Sequence, residues 1–136
     1  MGDEFNASQP IYFQLVQRIC KQIVKGDLGA GEKLPSVRGM AIQAGVNPNT
    51  IQRVYTELER MDVVETKRGQ GTFVTAKPER LRELRDELMA EHVLAFLTDM
   101  HQMGFSPVEI IQALREYLDR QDGNSHKVQQ RGRGPE

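Results

Sequence analysis

Between Val46 and Glu57 the chain reads Asn47-Pro48-Asn49-Thr50-Ile51-Gln52-Arg53-Val54-Tyr55-Thr56, whose polar groups are amides, hydroxyls and a guanidinium without a carboxylate. Such groups match base-pair edges. Asn and Gln can bond bidentately to adenine, Arg to guanine, and Thr can touch a thymine methyl or a phosphate oxygen. Asn47 also has the side chain to cap the helix that Pro48 would open. Ser36 and Arg38 stand where a shorter helix should begin, and helix N-termini attract phosphate; a surface ion pair is the plainer use of Arg38. Further on, Lys67 and Arg68 precede Gly69-Gln70-Gly71, placing two cations where a backbone without Cβ atoms can approach a groove or a phosphate row. A plain turn needs glycine too, and the Gly-Gln-Gly spacing is not a nucleotide-binding fingerprint.

Constellations suited to catalysis are missing. His92 and His101 are nine residues apart, about 900° around a helix and so on opposite faces, which denies one metal both ligands. Cys20 falls on an apolar helical face, where burial makes a thiol inert. Met89, Met100 and Met103 suit core or interface gaps. Glu79, Glu83, Asp86, Glu87 and Glu91 interleave with Arg80, Arg82 and Arg85 as a solvated, ion-paired surface. The expectation is a chain that is not an enzyme and holds no metal or cofactor.

The charge distribution points the same way. Across 136 residues, 18 Lys+Arg face 19 Asp+Glu for a net charge of -1. The average conceals an asymmetry: residues 1 to 77 carry ten basic and eight acidic side chains, and 78 to 136 carry eight and eleven. No acid lies between Glu32 and Glu57, whereas Lys33, Arg38 and Arg53 do, so one continuous segment lacks groups that would repel a polyanion. No apolar run approaches the roughly 18 residues that a membrane-spanning helix needs. MGDEFNASQP lacks the basic and apolar pattern of a signal peptide, and a single cysteine excludes an internal disulfide, which together suggest a reducing, cytoplasmic setting.

The elements that position these groups follow from periodicity and punctuation. Ile11, Leu15, Ile19 and Ile23, widened by Tyr12, Val16 and Cys20, form one helical face from Pro10 to Lys25, with Gly26 as its stop. The stretch from Gly26 to Pro35 is a loop with Leu28 and Leu34 as apolar plugs. Ser36 caps a short helix from Val37 to about Ala44, closed by Gly45. Asn47-Pro48 starts a third helix, whose Ile51, Val54, Tyr55, Leu58 and Met61 turn Asn49, Thr50, Gln52, Arg53 and Thr56 outward. Residues 63 to 67 and 72 to 74 are β-rich around a glycine turn, a hairpin.

Beyond Pro78, Leu81, Leu84 and Leu88 begin a stripe that broadens through Val93, Leu94, Phe96, Leu97, Met100 and Met103 to Gly104. Ser106-Pro107-Val108-Glu109 is a capping box that opens a last helix bearing Ile110, Ile111, Leu114, Tyr117 and Leu118. The expected fold is therefore mostly α with a small β hairpin: a winged helix-turn-helix over residues 1–77 and a two-helix dimerisation segment over 78–121. Residues 122–136 are polar and aperiodic, and are expected as a flexible tail. The apolar excess of the second segment needs a cover, and Leu88, Val93, Phe96, Leu97, Met100, Ile111, Leu114 and Leu118 are the expected dimer face.

LPSVRGMAIQAGVNPNTIQRVYTELERMDVVETKRGQGTFV, residues 34 to 74, resembles the DNA-binding domain of GntR-family bacterial transcription regulators. PIYFQLVQRI extends the likeness upstream, while NPNTIQRVYTELE, RGQGTFV and MGFSPVEIIQALREYL are similar to the YtrA subfamily, whose C-terminal part is a short helical dimerisation segment. The resemblance implies a homodimeric repressor on an operator of inverted-repeat double-stranded DNA. It implies DNA contacts at Ser36, Arg38, Asn49, Thr50, Gln52, Arg53 and Lys67 to Gly71, overlapping the set reached from residue chemistry, to which Asn47 is added. Gly39 stands where the family more often has an acid, and Asp62 where it more often has glycine; Asp tolerates a left-handed conformation better than most residues.

About forty residues in two helices are largely consumed in covering each other and a partner, which leaves no room for a deep effector pocket. A shallow site between subunits or near Ala76 to Glu79 is the expectation if a small molecule is sensed. The rival reading is a winged-helix protein-interaction module, set apart by whether the acid-free segment and basic wing hold DNA.

Overall fold

The computed structural model describes residues 9–132, with side chains through residue 123. Residues 1–8, which belong to the segment tested for a signal, and 133–136, the end of the expected tail, lie outside the described residues. Five helices and one hairpin occur among the described residues: α1 (Ile11–Lys25), α2 (Val37–Ala44), α3 (Pro48–Arg60), β1 (Val64–Lys67), β2 (Gly71–Val74), α4 (Pro78–Gln102) and α5 (Pro107–Gly132). The chain is mostly helical, with a helix-turn-helix followed by an antiparallel hairpin and two C-terminal helices, as the periodicity predicts.

The caps explain the boundaries. Ser36 Oγ accepts the Gly39 N–H at 2.9 Å and Asn47 Oδ1 accepts the Asn49 N–H at 2.7 Å, each satisfying a donor that helix geometry leaves unpaired. Gly26 and Gly45 close α1 and α2 in the left-handed region. Past α3 that role falls to Asp62, at φ 61°, the one described non-glycine residue with positive φ. Asp62 therefore takes the conformation expected of it, and its carboxylate meets Lys77 Nζ at 3.1 Å.

The chain divides into two compact units, Met1–Met89 and Ala90–Glu136. In the first, Leu15, Val16, Ile19, Cys20 and Ile23 of α1 pack with Ala41 of α2, with Ile51, Val54, Tyr55 and Leu58 of α3, and with Val63, Val64 and Val74 of the hairpin. Ile51, Val54 and Leu58 are 0% exposed, so α3 is the element around which this core closes. Tyr55 shares the core and donates its hydroxyl to the Pro35 carbonyl at 2.7 Å, which fixes α3 against the start of α2. Cys20 is buried there, as its place on the α1 stripe implies.

The structure changes three expectations. The segment from Gly31 to Leu34, expected as plain loop, runs along β2: Gly31 N–H donates to Val74 O at 3.0 Å, Val74 N–H to Glu32 O at 2.8 Å, and Leu34 N–H to Thr72 O at 2.8 Å. The unit boundary falls inside α4, because Leu84 is buried in the first core and Leu81 and Leu88 pack against it. Five residues separate Leu88 from Val93, which turns the apolar face by roughly 140°. Leu88, expected in the dimer face, is partly buried against the core of the winged unit. Finally, the backbone from Asp122 is helical to Gly132, where a tail was expected, since nothing in this stretch forbids continuing the N–H to C=O ladder.

In the second unit Gly104 ends α4 with φ 84° and the expected capping box forms in both directions. Ser106 N–H donates to Glu109 Oε1 at 2.8 Å and Glu109 N–H to Ser106 Oγ at 3.2 Å. Ile110 is buried, and Phe96, Leu97 and Met100 are half-buried.

Burial pushes the Tyr55 hydroxyl up to about 12, so the folded state holds that proton more tightly than the unfolded chain, whose tyrosine titrates near 10. The resulting stability is complete below pH 10 and fades as pH climbs toward 12. Chemical denaturation between pH 9 and 12 should show this loss in the parent and a smaller one in Tyr55→Phe, which is less stable at pH 7 by about 1 kcal/mol for the lost hydrogen bond. Asp62→Val, forcing a β-branched residue into positive φ, should lower stability by about 1–2 kcal/mol, and Asp62→Gly should not.

Candidate nucleic-acid interface

The groups singled out by residue chemistry come from three local structures in the winged unit: the start of α2, the outer face of α3, and the hairpin tip. Ser36 and Arg38 are exposed at the first turn of α2. The Ser36 hydroxyl is engaged in capping, so it presents the helix N-terminus and does not project freely. Gly39 lies directly over it: a Cβ there would stand 3.1 Å from Ser36 Oγ. An acid in place of Gly39 would add negative charge beside Arg38, and this chain has none there.

On α3, Asn47, Asn49, Gln52, Arg53 and Thr56 are exposed and Thr50 is half-buried, while Ile51, Val54, Tyr55 and Leu58 face inward. The 3.6-residue period puts Asn49, Gln52, Arg53 and Thr56 along one side, a continuous strip of amide, guanidinium and hydroxyl groups. Asn47 is drawn out of that strip by its cap bond to Asn49, so its side chain orders the helix start. Glu57, the first carboxylate, is bonded by the Arg60 guanidinium, which holds its carboxyl below the usual range. The acid nearest the strip is therefore paired with a cation.

Sequence reading missed what supports this strip. The Arg53 guanidinium lies 3.7 Å from the centre of the Tyr12 ring, so a side chain assigned to the apolar face of α1 holds a cation of α3 in place. Its only sequence signal is an aromatic at the edge of the α1 stripe. At the other end of α3, Arg80 Nε donates to the Met61 carbonyl at 3.1 Å and its guanidinium meets Glu83 at 3.3 Å and Glu87 at 3.2 Å. Arg80 is only 13% exposed, and it ties the first turn of α4 to the last carbonyls of α3. The charge alternation from Glu79 to Glu91 points to a solvated, ion-paired surface; the Glu83 and Glu87 pairs agree with that, while the burial of Arg80 and its bond to Met61 go beyond it.

In the hairpin, Val64 pairs with Val74, Glu65 with Phe73, Thr66 with Thr72 and Lys67 with Gly71. Gln70 N–H donates to the Lys67 carbonyl at 2.8 Å, closing a turn whose third residue, Gly69, has φ 76°. A positive φ at that position is why glycine stands there. Lys67 Nζ lies 4.8 Å from the Phe73 ring centre, and Arg68, Gly69 and Gln70 are exposed. Gly71 has φ 126°, and a Cβ on it would fall 2.7 Å from Lys33 Cε. The structure thus brings the expected residues onto three neighbouring pieces of one unit, with the α3 strip and the wing cations all accessible.

Residues 11–74 match the family model described as bacterial regulatory proteins, gntR family. The chain is 44% identical over 119 residues to the uncharacterized HTH-type transcriptional regulator YhcF of Bacillus subtilis, covering 88% of this chain and 98% of that protein. It is 34% identical over 111 residues to the HTH-type transcriptional repressor YtrA of the same organism, covering 81% and 85%. Among solved structures, a GntR family transcriptional regulator from Listeria monocytogenes superimposes with a TM-score of 0.78 at 38% identity, over 82% of this chain and 98% of that one.

The Tyr12 contact gives a measurable consequence. Tyr12→Leu should release the Arg53 guanidinium and weaken duplex binding by about 0.5–1 kcal/mol, whereas Tyr12→Phe, which keeps the ring face, should bind like the parent. Fluorescence anisotropy with a labelled duplex measures both; equal loss in the two variants would assign the effect to the hydroxyl and not the ring.

Proposed function

The chain belongs to the gntR family of bacterial regulatory proteins, and on that premise we propose that it works as a homodimeric repressor on a two-fold operator. Membership makes it a DNA-binding transcriptional regulator of YtrA-like type, not an enzyme, and decides against the protein-interaction module. The observation that carries the finer reading is the acid-free outer face of α3, exposed from Asn49 to Thr56 while its other face is buried. A helix so divided can enter the major groove without uncovering the core, and its Asn49, Thr50, Gln52 and Arg53 are then the base and phosphate contacts. Arg38 and Ser36 approach from the start of α2, and Lys67 to Gly71 from the wing.

Dimerisation is supported by the second unit. Ile111, Leu114 and Leu118 of α5 are 50%, 41% and 63% exposed, at helical spacing on one face, and Val93 of α4 is exposed too. Full burial of a wholly exposed side chain of this kind is worth about 1.5–3 kcal/mol, and about half of that is left to gain here, so four of them from each subunit still supply several kcal/mol toward an interface. Phe96, Leu97 and Met100 are half-buried already and contribute less new area than their place in the expected face suggests. A two-fold dimer on duplex DNA places its third helices about 34 Å apart, one helical turn. The repressor sign is taken from the printed name of the YtrA relative.

Sequences selected from a random duplex pool should converge on an inverted repeat; enrichment of an asymmetric site, or none, would overturn the two-fold reading. Arg38→Ala should cost about 1–3 kcal/mol on the selected operator and less on other sequences, while Lys67→Ala should weaken all duplexes alike. Leu114→Asp should leave the far-ultraviolet spectrum intact and yield a monomer in sedimentation at micromolar concentration. A dimer that survives this change places the interface elsewhere.

A further inference from the structure

We propose that Lys33 is a third wing cation, a phosphate-binding residue that acts beside Lys67 on the DNA backbone; this rests on the reading of the wing as a DNA contact. Lys33 lies in the stretch that sequence alone shows as the loop between α1 and α2. The backbone bonds of residues 31–34 to β2 make it instead the far edge of the wing, with Lys33 opposite Phe73 in an antiparallel bridge. Residues opposite each other across antiparallel strands project to the same side, so Lys33 shares the Phe73 face. Lys67, whose ammonium lies 4.8 Å from the Phe73 ring centre, stands on that face as well.

Gly71 then acquires a specific role. Its missing Cβ leaves the space that the Lys33 stem occupies, since a Cβ would come 2.7 Å from Lys33 Cε. The stem thus crosses β2 beside the residue paired with Lys67, and the Lys33 ammonium is carried toward the basic tip. Lys33 is exposed, and neither it nor Lys67 is ion-paired among the described residues, although Glu65 stands opposite Phe73 on the same face. Two ammonium groups on one face of the sheet, neither ion-paired among the described residues, suit the phosphodiester backbone, where compact cations displace condensed counterions without reading sequence.

The test uses the full chain, the selected operator duplex, and a random duplex of equal length, with affinity measured across a salt series. Lys33→Gln should weaken both duplexes severalfold by similar factors and reduce the slope of log affinity against log salt by about 0.9 per bound subunit. Lys33→Arg should keep the parental slope. Lys33→Met, which keeps the aliphatic stem over Gly71, should lose as much slope as Lys33→Gln; a parental slope in Lys33→Met would show that the stem matters and not the charge, and would overturn the proposal. If Lys67→Ala lowers the slope and Lys33→Gln does not, Lys33 is no phosphate ligand and the wing reading stands. If neither Lys67→Ala nor Arg68→Ala changes the slope, the wing reading fails and takes the proposal with it.

Discussion

The structure depends on one constraint: α3 must be the centre of the core on one side and a bare polar surface on the other. Ile51, Val54 and Leu58 are wholly enclosed, and the strip from Asn49 to Thr56 is only a helix radius away. A helix so placed could rock about its buried face, and the fold restrains it at separate points. Tyr55 bonds it to the Pro35 carbonyl ahead of α2, Tyr12 of α1 stacks on Arg53, and Arg80 of α4 grips the Met61 carbonyl. Each restraint is polar or aromatic and directional, whereas the core contacts beneath are not. Hydrophobic burial holds α3 in place; the directional contacts set its angle, on which the proposed base contacts would depend.

The wing shows similar economy. Its two named strands are four residues each, too few for independent stability, and the 31–34 segment widens the sheet by pairing with β2. That pairing links the hairpin to the Leu34-Pro35-Ser36 entry into α2, so the wing and the helix-turn-helix share a length of backbone. Gly69 and Gly71 each have local requirements, a left-handed turn position and the space for a lysine stem. The Thr66 and Thr72 hydroxyls, 3.5 Å apart on the opposite face, add a cross-strand contact.

The second unit poses a different physical problem. Its only fully buried apolar residue among those described is Ile110, while α5 presents Ile111, Leu114, Tyr117 and Leu118 to solvent. Exposed apolar surface of that extent on helices closed by a satisfied capping box is surface awaiting a cover, not a folding defect. The proposed dimer would meet that need with a second copy of the same face.

Much of this was legible before any coordinates, and for a definite reason. Ser36, Asn47 and the Ser106–Glu109 box announce helix starts because capping is local chemistry between a side chain and N–H groups two or three residues away. The buried face of α3, and hence its exposed strip, follows from the 3.6-residue period alone, and Asp62 could be expected in the left-handed region because short polar side chains tolerate it. Only the tertiary structure decided the rest. The 31–34 pairing runs through backbone groups that every residue carries, so no side chain advertises it. The Tyr12–Arg53 and Arg80–Met61 contacts join residues 41 and 19 positions apart, which depends on how helices pack and not on what their neighbours are. The division within α4 and the helical course of α5 beyond Asp122 were likewise settled by packing and by continuity of the hydrogen-bond ladder, quantities that composition averages away.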